Sequence, residues 1–489
     1  MKIPFHRPDL PPDLNDLYSD SIKDGWLTTG PQVKEFESQL SGYLGVENVI
    51  AVNSCTAALH LALVAKGFGR GDKFLVPTYT FVSTVECGEY LGMEPILIDC
   101  EKGGFSIDFN QVEDILKKER DVKAIVPVHF AGKPVDMKKV FEFADRYGLF
   151  VLEDAAHALE SVSNLGKVGQ TNHGVAFSFY ANKNITTGGE GGALATNDLN
   201  LANKVRKLSL HGISRDGWKR HNAGGKWEYD VSELGFKYNL TDMAASFGLW
   251  QLTQLEEWQK RRLEIIKQYL VGLDHIAGLV LPEISAGHAW HLFVIQIMPD
   301  HWKISRNELV EKINERGIGV AVHYKPVHML SYYQRQYGFK LDQYPQAKSL
   351  FETVISLPLY PGLQNIEVDY IIESISDFLD DVPVVNKISV IEEEPVPFYL
   401  VTAIHLNQKN SQSKTWFATD PFGLGESWDM RKQIEEKLPE SKFLKIHRSY
   451  VINYHKIIDI EDNSVLIAKD VIPISRSNRP ILMKRLNLL

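Results

Sequence analysis

A glycine-rich segment contains the lysine of this chain that is the strongest candidate for a chemical role. Residues 176–197 read AFSFYANKNITTGGEGGALATN, which places Ser178 at the end of a strand-like run, Lys183 in the following loop and four glycines around Glu190. Glycine permits backbone conformations and close approaches that side chains forbid, so this loop could fold tightly around a bound group. A lone loop lysine is ordinarily solvated, however. The segment matches neither GxxxxGK[ST] nor GxGxxG, so nucleoside triphosphate and dinucleotide sites lack support.

A second segment combines two carboxylates with a histidine. In FVLEDAAHALES a strand-like run delivers Glu153 and Asp154, and His157 lies three residues beyond Asp154. An ionised aspartate in a ligand crevice can hold a protonated pyridine nitrogen, which strengthens a pyridine cofactor as an electron sink. The alternatives are a helix cap for Asp154 and a buried structural imidazole for His157.

Two further segments supply groups that suit a flat, phosphorylated ligand. In VIAVNSCTAALHLAL a strand gives way to a helix near Thr56, and hydroxyls and free N–H groups at a helix N-terminus form an anion site. Ser54 or Thr56 could instead be only an N-cap. In VPTYTFVSTVECGEYLG, Tyr79 and Phe81 follow a strand, where an aromatic ring could cover such a ligand, although core packing is the default for either.

The order of the elements explains how these residues could meet. Between Val49 and Thr196 short apolar runs alternate with helical patterns such as TAALHLALVAKG and DMKKVFEFADRYG. The runs that read as strands are VIAVNS, FLVPTYTF, PILIDC, AIVPVHF, FVLED, VAFSFY and GALATN. This alternation predicts an α/β fold with a mostly parallel sheet that is covered by helices on both faces. Ligands of such sheets gather at the carboxyl ends of the strands, where the residues above are expected.

Four regions follow from changes of pattern along the chain. Residues 1–250 are predicted to form a large domain, and a helical stretch that starts near Thr241 leads into a smaller α/β domain at 251–380. Residues 381–396, rich in Val, Pro and Glu, are interpreted as a linker. Residues 397–489 carry short strand candidates and one helical segment, WDMRKQIEEKL, and are predicted to be mainly β.

Composition narrows the class of protein. The chain is 44% hydrophobic and 24% charged, which is ordinary for folded globular proteins. Its length of 489 residues is too great for a single hydrophobic core. Three cysteines, Cys55, Cys87 and Cys100, are too few and too unpatterned for a disulfide framework or a zinc site, so no metal is expected. The N-terminus lacks an apolar leader and no run of about eighteen apolar residues occurs, which predicts a cytoplasmic protein with no membrane partner.

The chain up to about residue 380 resembles the DegT/DnrJ/EryC1/StrS family of sugar aminotransferases. The resemblance rests on a series of matches in the same order, namely GWLTTGPQVKEFE, the SerCysThr turn, EDAAHA, SFYANKNITTGGEGG, LHGISRDGWKR, LGFKYNLTDMAA, VHYKPVH and ISLPLYPGL. It implies the type I fold of pyridoxal-phosphate aminotransferases, with a mostly parallel sheet in the large domain and a smaller α/β domain. It also implies that the cofactor is pyridoxal 5′-phosphate.

The resemblance assigns roles to the residues singled out above. Lys183 would bind the cofactor as a Schiff base and move the proton between substrate and cofactor, Asp154 would pair with the pyridinium nitrogen, and His157 would lie near the phenolic oxygen. The other contacts would come from the phosphate-binding residues Ser54, Cys55, Thr56 and Ser178 and from the ring-stacking residue Phe81. Because Lys183 must be neutral to attack, a site partly out of water and beside a cationic cofactor should lower its pKa.

Family members are dimers in which the partner subunit reaches the cofactor phosphate from the segment that matches LGFKYNLTD. Many have asparagine where this chain has Lys237, and Asn239 lies two residues on, so either side chain could make that contact. The sugar nucleotide would contact residues of HGISRDGWKR and VHYKPVH, namely His211, Arg215, Lys219, His323 and Tyr324. The basic residues of the first of these segments could equally form a solvated helix end.

The parts indicate a transamination in two half-reactions. An amino donor, glutamate by analogy with the family, would leave its nitrogen on the cofactor, and the amine would then add to a ketone of a nucleotide-linked sugar. The product would serve amino-sugar or cell-surface polysaccharide biosynthesis. Some relatives carry histidine in place of the lysine and dehydrate sugars, so Lys183 favours amino transfer. The alternative is a transcription regulator that senses the cofactor and the sugar nucleotide without turnover.

The C-terminal region resembles the LytTR DNA-binding domain of bacterial response regulators, most closely from Lys442 onward. Residues 442–489 hold nine Lys and Arg against four Asp and Glu, although the whole tail from Ile388 has a net charge of only +1. The resemblance brings Arg448 and Arg476 near DNA, and further contacts to phosphates could come from Lys445, Lys484 and Arg485. Arginine suits a guanine edge or two phosphates, and lysine suits a phosphate. A tail that keeps this fold only for dimerisation or stability is the alternative.

Overall fold

The computed structural model describes residues 1–13, 17–19, 22, 25–213, 229–298, 301–302 and 304–380, together with the backbone of seven strands between Tyr399 and Pro473. The chain divides into two compact units, Met1–Asn386 and Lys387–Leu489. The predicted linker, 381–396, lies outside the described residues. The division of the first unit near residue 250 stays a prediction.

A seven-stranded sheet forms the centre of the first unit, in the order β1-β9-β8-β5-β4-β2-β3. The strands of this unit are β1 Asn48–Val52, β2 Lys73–Pro77, β3 Glu94–Ile98, β4 Val122–Ile125, β5 Phe150–Asp154, β6 Val162–Ser163, β7 Gly166–Lys167, β8 Gly174–Ser178, β9 Gly192–Thr196, β10 Leu279–Val280, β11 Phe293–Ile297 and β12 Val354–Leu357. Strands β2, β3, β4, β5 and β8 are parallel, whereas β9 runs antiparallel to its neighbours β8 and β1. The predicted α/β fold with a mostly parallel sheet is therefore confirmed.

Helices cover both faces of this sheet. The helices of the first unit are α1 Pro31–Leu44, α2 Cys55–Lys66, α3 Ser83–Glu89, α4 Phe109–Lys118, α5 Met137–Tyr147, α6 Leu199–Leu208, α7 Asp242–Leu273, α8 Arg306–Glu315, α9 Ser331–Tyr337, α10 Pro345–Thr353 and α11 Asn365–Asp380. Successive residues of a strand point to opposite faces. In β5, Leu152 packs in one core with Leu59 of α2, and Val151 packs in another with Val140 of α5.

The long helix α7 connects this sheet to a second core in the same unit. Its first turn is capped by Thr241, whose Oγ1 accepts a hydrogen bond from Ala244 N at 3.2 Å. Ala245 packs in the core beside the large sheet, whereas Tyr269 and Leu273 lie in the second core. That core also contains residues of the three-stranded sheet β10-β11-β12 and of helices α8 and α11. Strand β11 and helix α8 both lie within the range predicted for the smaller α/β domain, 251–380.

The second unit is mainly β in its described part. Its strands are β13 Tyr399–Asn407, β14 Asn410–Ala418, β15 Phe443–His447, β16 Tyr450–Asn453, β17 Ile457–Glu461, β18 Ser464–Ile467 and β19 Asp470–Pro473. Antiparallel pairing joins β13 to β14, β15 to β16, and β17 through β18 to β19. The predicted helix WDMRKQIEEKL lies outside the described residues.

The described part of the chain has neither a candidate membrane span nor a candidate metal cluster. None of its helices is both long and apolar enough to cross a membrane. None of its His, Cys, Asp and Glu side chains form a group of three or more that could hold a metal ion. A cytoplasmic location stays a prediction.

Candidate active site

A cleft of about 520 Å³ opens at the carboxyl end of the large sheet. Strands β5 and β8 end at it, helix α2 begins at it, and the β8–β9 loop forms part of its wall. The predicted site residues that line it are Ser54, Cys55, Thr56, Phe81, Asp154, His157, Ser178, Lys183, His323 and Tyr324. The structure thus brings together side chains from five separate segments of the sequence, at the edge where ligands of parallel sheets bind.

Lys183 lies in the β8–β9 loop and is held there by the backbone. Its N–H donates to Tyr180 O at 2.9 Å, and Ala181 N donates to Gly189 O at 2.9 Å, which closes the loop on itself. Gly189 has φ 134°, a conformation that side chains rarely adopt. Burial lowers the pKa of Lys183 to about 8, although Asp154 and Cys55 act in the opposite direction. The unprotonated, nucleophilic fraction of this amine near neutral pH is therefore larger than that of an exposed lysine.

Asp154 ends strand β5 and is 5% exposed. Thr84 Oγ1 donates to its Oδ2 at 2.7 Å, and Ala156 N donates to its Oδ1 at 3.1 Å. Because Thr84 gives its proton to Asp154, the 2.7 Å contact between the hydroxyls of Thr80 and Thr84 has Thr80 as the donor. These donors stabilise an ionised carboxylate and leave it lone pairs for a further cationic donor.

His157 follows Asp154 in a turn and is buried. Its Nδ1 accepts a hydrogen bond from Ala131 N at 3.2 Å, and its Nε2 lies 3.0 Å from the hydroxyl of Tyr324. Burial and the charges of Lys183 and His323 lower the pKa of His157 well below its ordinary value. The imidazole is therefore neutral, and it joins the sheet side of the cleft to the segment around Tyr324.

Helix α2 presents its N-terminus to the cleft. Ser54 is its N-cap and accepts from Ala57 N at 3.0 Å, so the N-cap alternative for Ser54 is realised. The amides of Cys55 and Thr56, the first of the helix, have no acceptor within it and are free for an anion. Strand β9 passes so closely that a Cβ on Gly192 would lie 2.5 Å from Cys55 N. Glycine is thus required where the sheet meets the helix.

Phe81 and Ser178 complete the cleft. Strand β2 ends at Pro77 rather than continuing to Phe81, and Tyr79 turns into the core whereas Phe81 remains 57% exposed. An exposed phenyl ring at the cleft can cover a flat ligand. Ser178 ends β8 at the same edge.

The groups present fit pyridoxal phosphate. A hydrogen-bonded carboxylate suits a pyridinium nitrogen, a helix N-terminus with adjacent hydroxyls suits a phosphate, and an exposed phenyl ring suits a pyridine face. An amine whose pKa is lowered suits covalent attachment to an aldehyde. The cleft volume is also within the usual range for small-molecule sites.

Several predicted residues lie elsewhere. Lys237 and Asn239 are not among the residues that line the cleft of their own chain. Lys237 Nζ donates to Asn239 Oδ1 at 2.7 Å, and Asn239 Nδ2 donates to Thr29 Oγ1 at 2.7 Å. His211 is exposed and also does not line this cleft. The predicted contacts that lie outside the described residues are Arg215, Lys219, Arg448, Arg476, Lys484 and Arg485. Lys445 lies in β15, opposite Val451.

Four side chains at the site were not predicted from the sequence. Thr84 and Thr80 support Asp154, and His291 packs on His157 with ring centroids 4.3 Å apart. His129 contacts Glu153, the carboxylate that precedes Asp154, and its Nε2 lies 2.9 Å from Glu153 Oε2. The alternation of β5 signals that Glu153 and Asp154 point to opposite faces. The spacing of Thr80 and Thr84 by one helical turn is the only signal for their contact.

Comparison with known proteins agrees with this geometry. Residues 9–376 match the model of the DegT/DnrJ/EryC1/StrS aminotransferase family, and residues 430–487 match that of the LytTr DNA-binding domain. The chain is 40% identical to the spore coat polysaccharide biosynthesis protein SpsC of Bacillus subtilis. The match extends over 380 residues, which are 77% of this chain and 97% of that protein.

Solved structures give the same result. Spr1654 from Streptococcus pneumoniae in its PMP form is 30% identical with a TM-score of 0.72, over 78% of this chain and 99% of that chain, and a PLP form matches comparably. The Helicobacter pylori aminotransferase PseC, involved in pseudoaminic acid biosynthesis, is 26% identical with a TM-score of 0.71, over 78% of this chain and all of that chain. The chain therefore belongs to the DegT/DnrJ/EryC1/StrS aminotransferase family, as a pyridoxal-phosphate-dependent sugar aminotransferase with a LytTR domain at its C-terminal end.

Proposed function

We propose that the chain transfers an amino group from glutamate to the ketone of a nucleotide-linked sugar used in amino-sugar or cell-surface polysaccharide biosynthesis. The observation that carries the proposal is one cleft that holds the Lys183 amine together with the Asp154 carboxylate. The choice of a sugar pathway is supported by the similarity to SpsC, a spore coat polysaccharide biosynthesis protein, and to PseC, an aminotransferase of pseudoaminic acid biosynthesis.

The residues of the cleft divide the work. Pyridoxal phosphate, when bound, supplies an electron sink and a carrier for the amino group. Asp154 would hold the pyridinium nitrogen, and the amides at the start of α2 would bind the phosphate. Lys183 Nζ would take the proton from the substrate carbon and return it at the neighbouring carbon. An amine whose pKa is about 8 can do both, because its two protonation states are close in free energy near neutral pH.

A single-turnover experiment tests the reaction. The protein loaded with cofactor and glutamate would be separated from excess donor and mixed with 3-keto or 4-keto nucleotide sugars. We expect one equivalent of amino sugar per active site, and none from Lys183→Ala. A protein that binds cofactor and sugar nucleotide but forms no product would instead support the regulator without turnover, which the match to a LytTr DNA-binding domain keeps as the second candidate.

We further propose a homodimer whose cleft is completed by Lys237 or Asn239 of the partner subunit. The support is that both residues lie outside the cleft of their own chain, and that the Lys237 ammonium is held by Asn239 at 2.7 Å. Lys183→Ala subunits mixed with Lys237→Ala/Asn239→Ala subunits should regain activity, because one of the two shared sites would have all its residues intact. Mixtures as inactive as their components would refute shared sites.

For the C-terminal unit we propose DNA binding, through which the fused enzyme would control genes of its own pathway. The support is the family match at 430–487. A gel shift with DNA from upstream of the gene should weaken in Arg448→Ala/Arg476→Ala, and the shift should fall steeply with salt as phosphate contacts require. A wild-type protein that never shifts this DNA would favour a scaffold role for the tail.

A further inference from the structure

The backbone at Ala131 determines which ring nitrogen of His157 carries the hydrogen. Ala131 lies in a short 3₁₀ turn, Phe130–Gly132, with φ 57°, an uncommon conformation for a residue with a side chain. The turn is held by Ala131 O, which accepts from His291 N at 3.0 Å, and by Gly132 O, which accepts from Ala289 N at 2.9 Å. Its geometry aims the Ala131 N–H at Nδ1 of His157, at 3.2 Å. Nδ1 is therefore an acceptor and carries no hydrogen.

The hydrogen of the neutral imidazole must then lie on Nε2. That nitrogen is 3.0 Å from the hydroxyl oxygen of Tyr324. Because Nε2–H is a donor, the Tyr324 oxygen accepts this bond. The ring of His291, at 4.3 Å between centroids, packs beside His157 and restricts its rotation. The direction of the hydrogen bond from His157 to Tyr324 thus follows from the backbone.

Tyr324 is left with a hydroxyl hydrogen to donate. Among the described residues no acceptor for it is found, and the side chain lines the cleft together with Lys183. The ring is fixed by Phe130 and Phe81, whose centroids lie 6.0 Å and 5.9 Å from its own. The donor consequently faces the ligand space.

The origin of Tyr324 in the fold indicates which ligand it meets. Asp154, Ser178 and the start of α2 all belong to the seven-stranded sheet and its helices. Tyr324 instead comes from a segment that bridges to strand β12 through Ala321 and Ser356. It therefore closes the cleft from a different wall than the groups suited to the pyridinium and the phosphate.

We propose that Tyr324 donates a hydrogen bond to the ketone oxygen of the sugar substrate, and that His157 is a positioning residue that acts in this step through Tyr324. The inference rests on the proposed function. Negative charge develops on that oxygen as the amine adds to the ketone, and a preoriented donor stabilises it. Burial and Asp154 raise the pKa of Tyr324 above its ordinary value, so the hydroxyl keeps its hydrogen at physiological pH.

The test uses Tyr324→Phe in the full-length protein loaded with cofactor. Single-turnover rates are measured separately for the glutamate half-reaction and for the keto-sugar half-reaction. We expect the keto-sugar rate to fall roughly 100-fold, as for removal of one donor at a developing oxyanion, with a much smaller loss in the glutamate half-reaction. Tyr269→Phe is the matched control, because it removes a hydroxyl that donates to Pro358 O at 2.9 Å in the second core, away from the cleft.

A double-mutant cycle tests the role of His157. His157→Leu should lose about as much keto-sugar rate as Tyr324→Phe, and the double variant should lose no more than either. His157→Gln, whose amide can donate in place of Nε2–H, should recover part of the rate. Cofactor absorbance and melting temperature of each variant show whether it has folded. Losses that add in the double variant would overturn the positioning role.

Two other outcomes would overturn the assignment of Tyr324. If Tyr324→Phe slows both half-reactions equally and shifts the cofactor absorbance before substrate is added, its hydroxyl acts on the cofactor. If Tyr324→Phe keeps the wild-type keto-sugar rate, the hydroxyl has no role in the step. A wild-type protein that aminates no keto sugar would refute the proposed function itself, which distinguishes that failure from a failure of this inference.

Discussion

Replacement of Lys183 by methionine should stabilise the cofactor-free protein in a pH-dependent way. Burial lowers the pKa of Lys183 from 10.5 to about 8 in the folded state. One pKa unit corresponds to ~1.4 kcal/mol, so protonation of this buried lysine at pH 7 lowers the free energy of unfolding by about 3 kcal/mol. Methionine has a similar length and carries no charge, so Lys183→Met removes this loss.

The sign of the pH dependence follows from proton linkage. Between pH 8 and pH 10.5 the unfolded chain keeps the proton on Lys183 whereas the folded chain has released it, so the stability of the wild-type protein rises with pH over that window. The advantage of Lys183→Met should therefore be full below pH 8, decrease above it and disappear near pH 10.5.

Thermal unfolding of the two cofactor-free proteins from pH 7 to pH 10 measures this difference. We expect the variant to melt a few degrees higher at pH 7, since a change of ~3 kcal/mol in a domain of this size moves Tm by that order. Lys340→Met, at an exposed position, serves as the control for loss of a lysine. A gain in Tm that is the same at every pH, or absent, would refute the argument that burial makes this amine nucleophilic.

Three further predictions concern neighbours of the site. Thr84→Val removes the donor to Asp154 Oδ2 and should weaken cofactor binding about 10-fold or more, because hydrogen bonds to charged groups contribute ~1.5–3 kcal/mol. Fluorescence titration of the cofactor-free protein measures this affinity, and an unchanged value would contradict the support role of Thr84. Arg262→Met leaves the buried Glu160 without its ion-pair partner and should lower the free energy of unfolding in denaturant by ~3–5 kcal/mol. Arg262→Met/Glu160→Gln should recover much of that loss, and equal stability of the two variants would contradict the role of the ion pair. Gly192→Ala should reduce phosphate-dependent cofactor retention on gel filtration, because the new Cβ meets the start of α2 at 2.5 Å, and full retention would show that the helix can move away.

The sequence predicted the site where a residue's place depends on local pattern. Lys183, Asp154 and Ser178 follow strands that apolar runs identify, and the carboxyl ends of parallel strands must share an edge. The contact of Thr84 with Asp154 joins residues 70 positions apart, and no periodicity in either segment signals it. Asp154 Oδ1 accepts from Ala156 N in a turn, and no helix of the described residues begins there, so the helix-cap alternative for Asp154 is not realised. Its role toward a pyridinium nitrogen stays a prediction.

Residues whose function depends on the packing of distant segments were the hardest to predict. The nitrogens of His157 contact Ala131 and Tyr324 in the structure, and its expected place near the phenolic oxygen of the cofactor stays a prediction. That arrangement depends on the conformation of Ala131, which the sequence does not encode by a glycine or asparagine. Strand β2 ends four residues earlier than its apolar pattern suggests, because the chain after Pro77 turns inward and buries Tyr79.

Identification of the lysine that binds the cofactor covalently shows whether this protein uses Lys183. The wild-type protein and Lys183→Ala would each be incubated with pyridoxal phosphate, reduced with borohydride and digested for peptide mass spectrometry. We predict a visible absorbance band in the wild-type protein that borohydride abolishes, and a reduced pyridoxyl group on the peptide that contains Lys183. Lys183→Ala should lack both. A band that persists in Lys183→Ala, or a label on another lysine, would contradict the account.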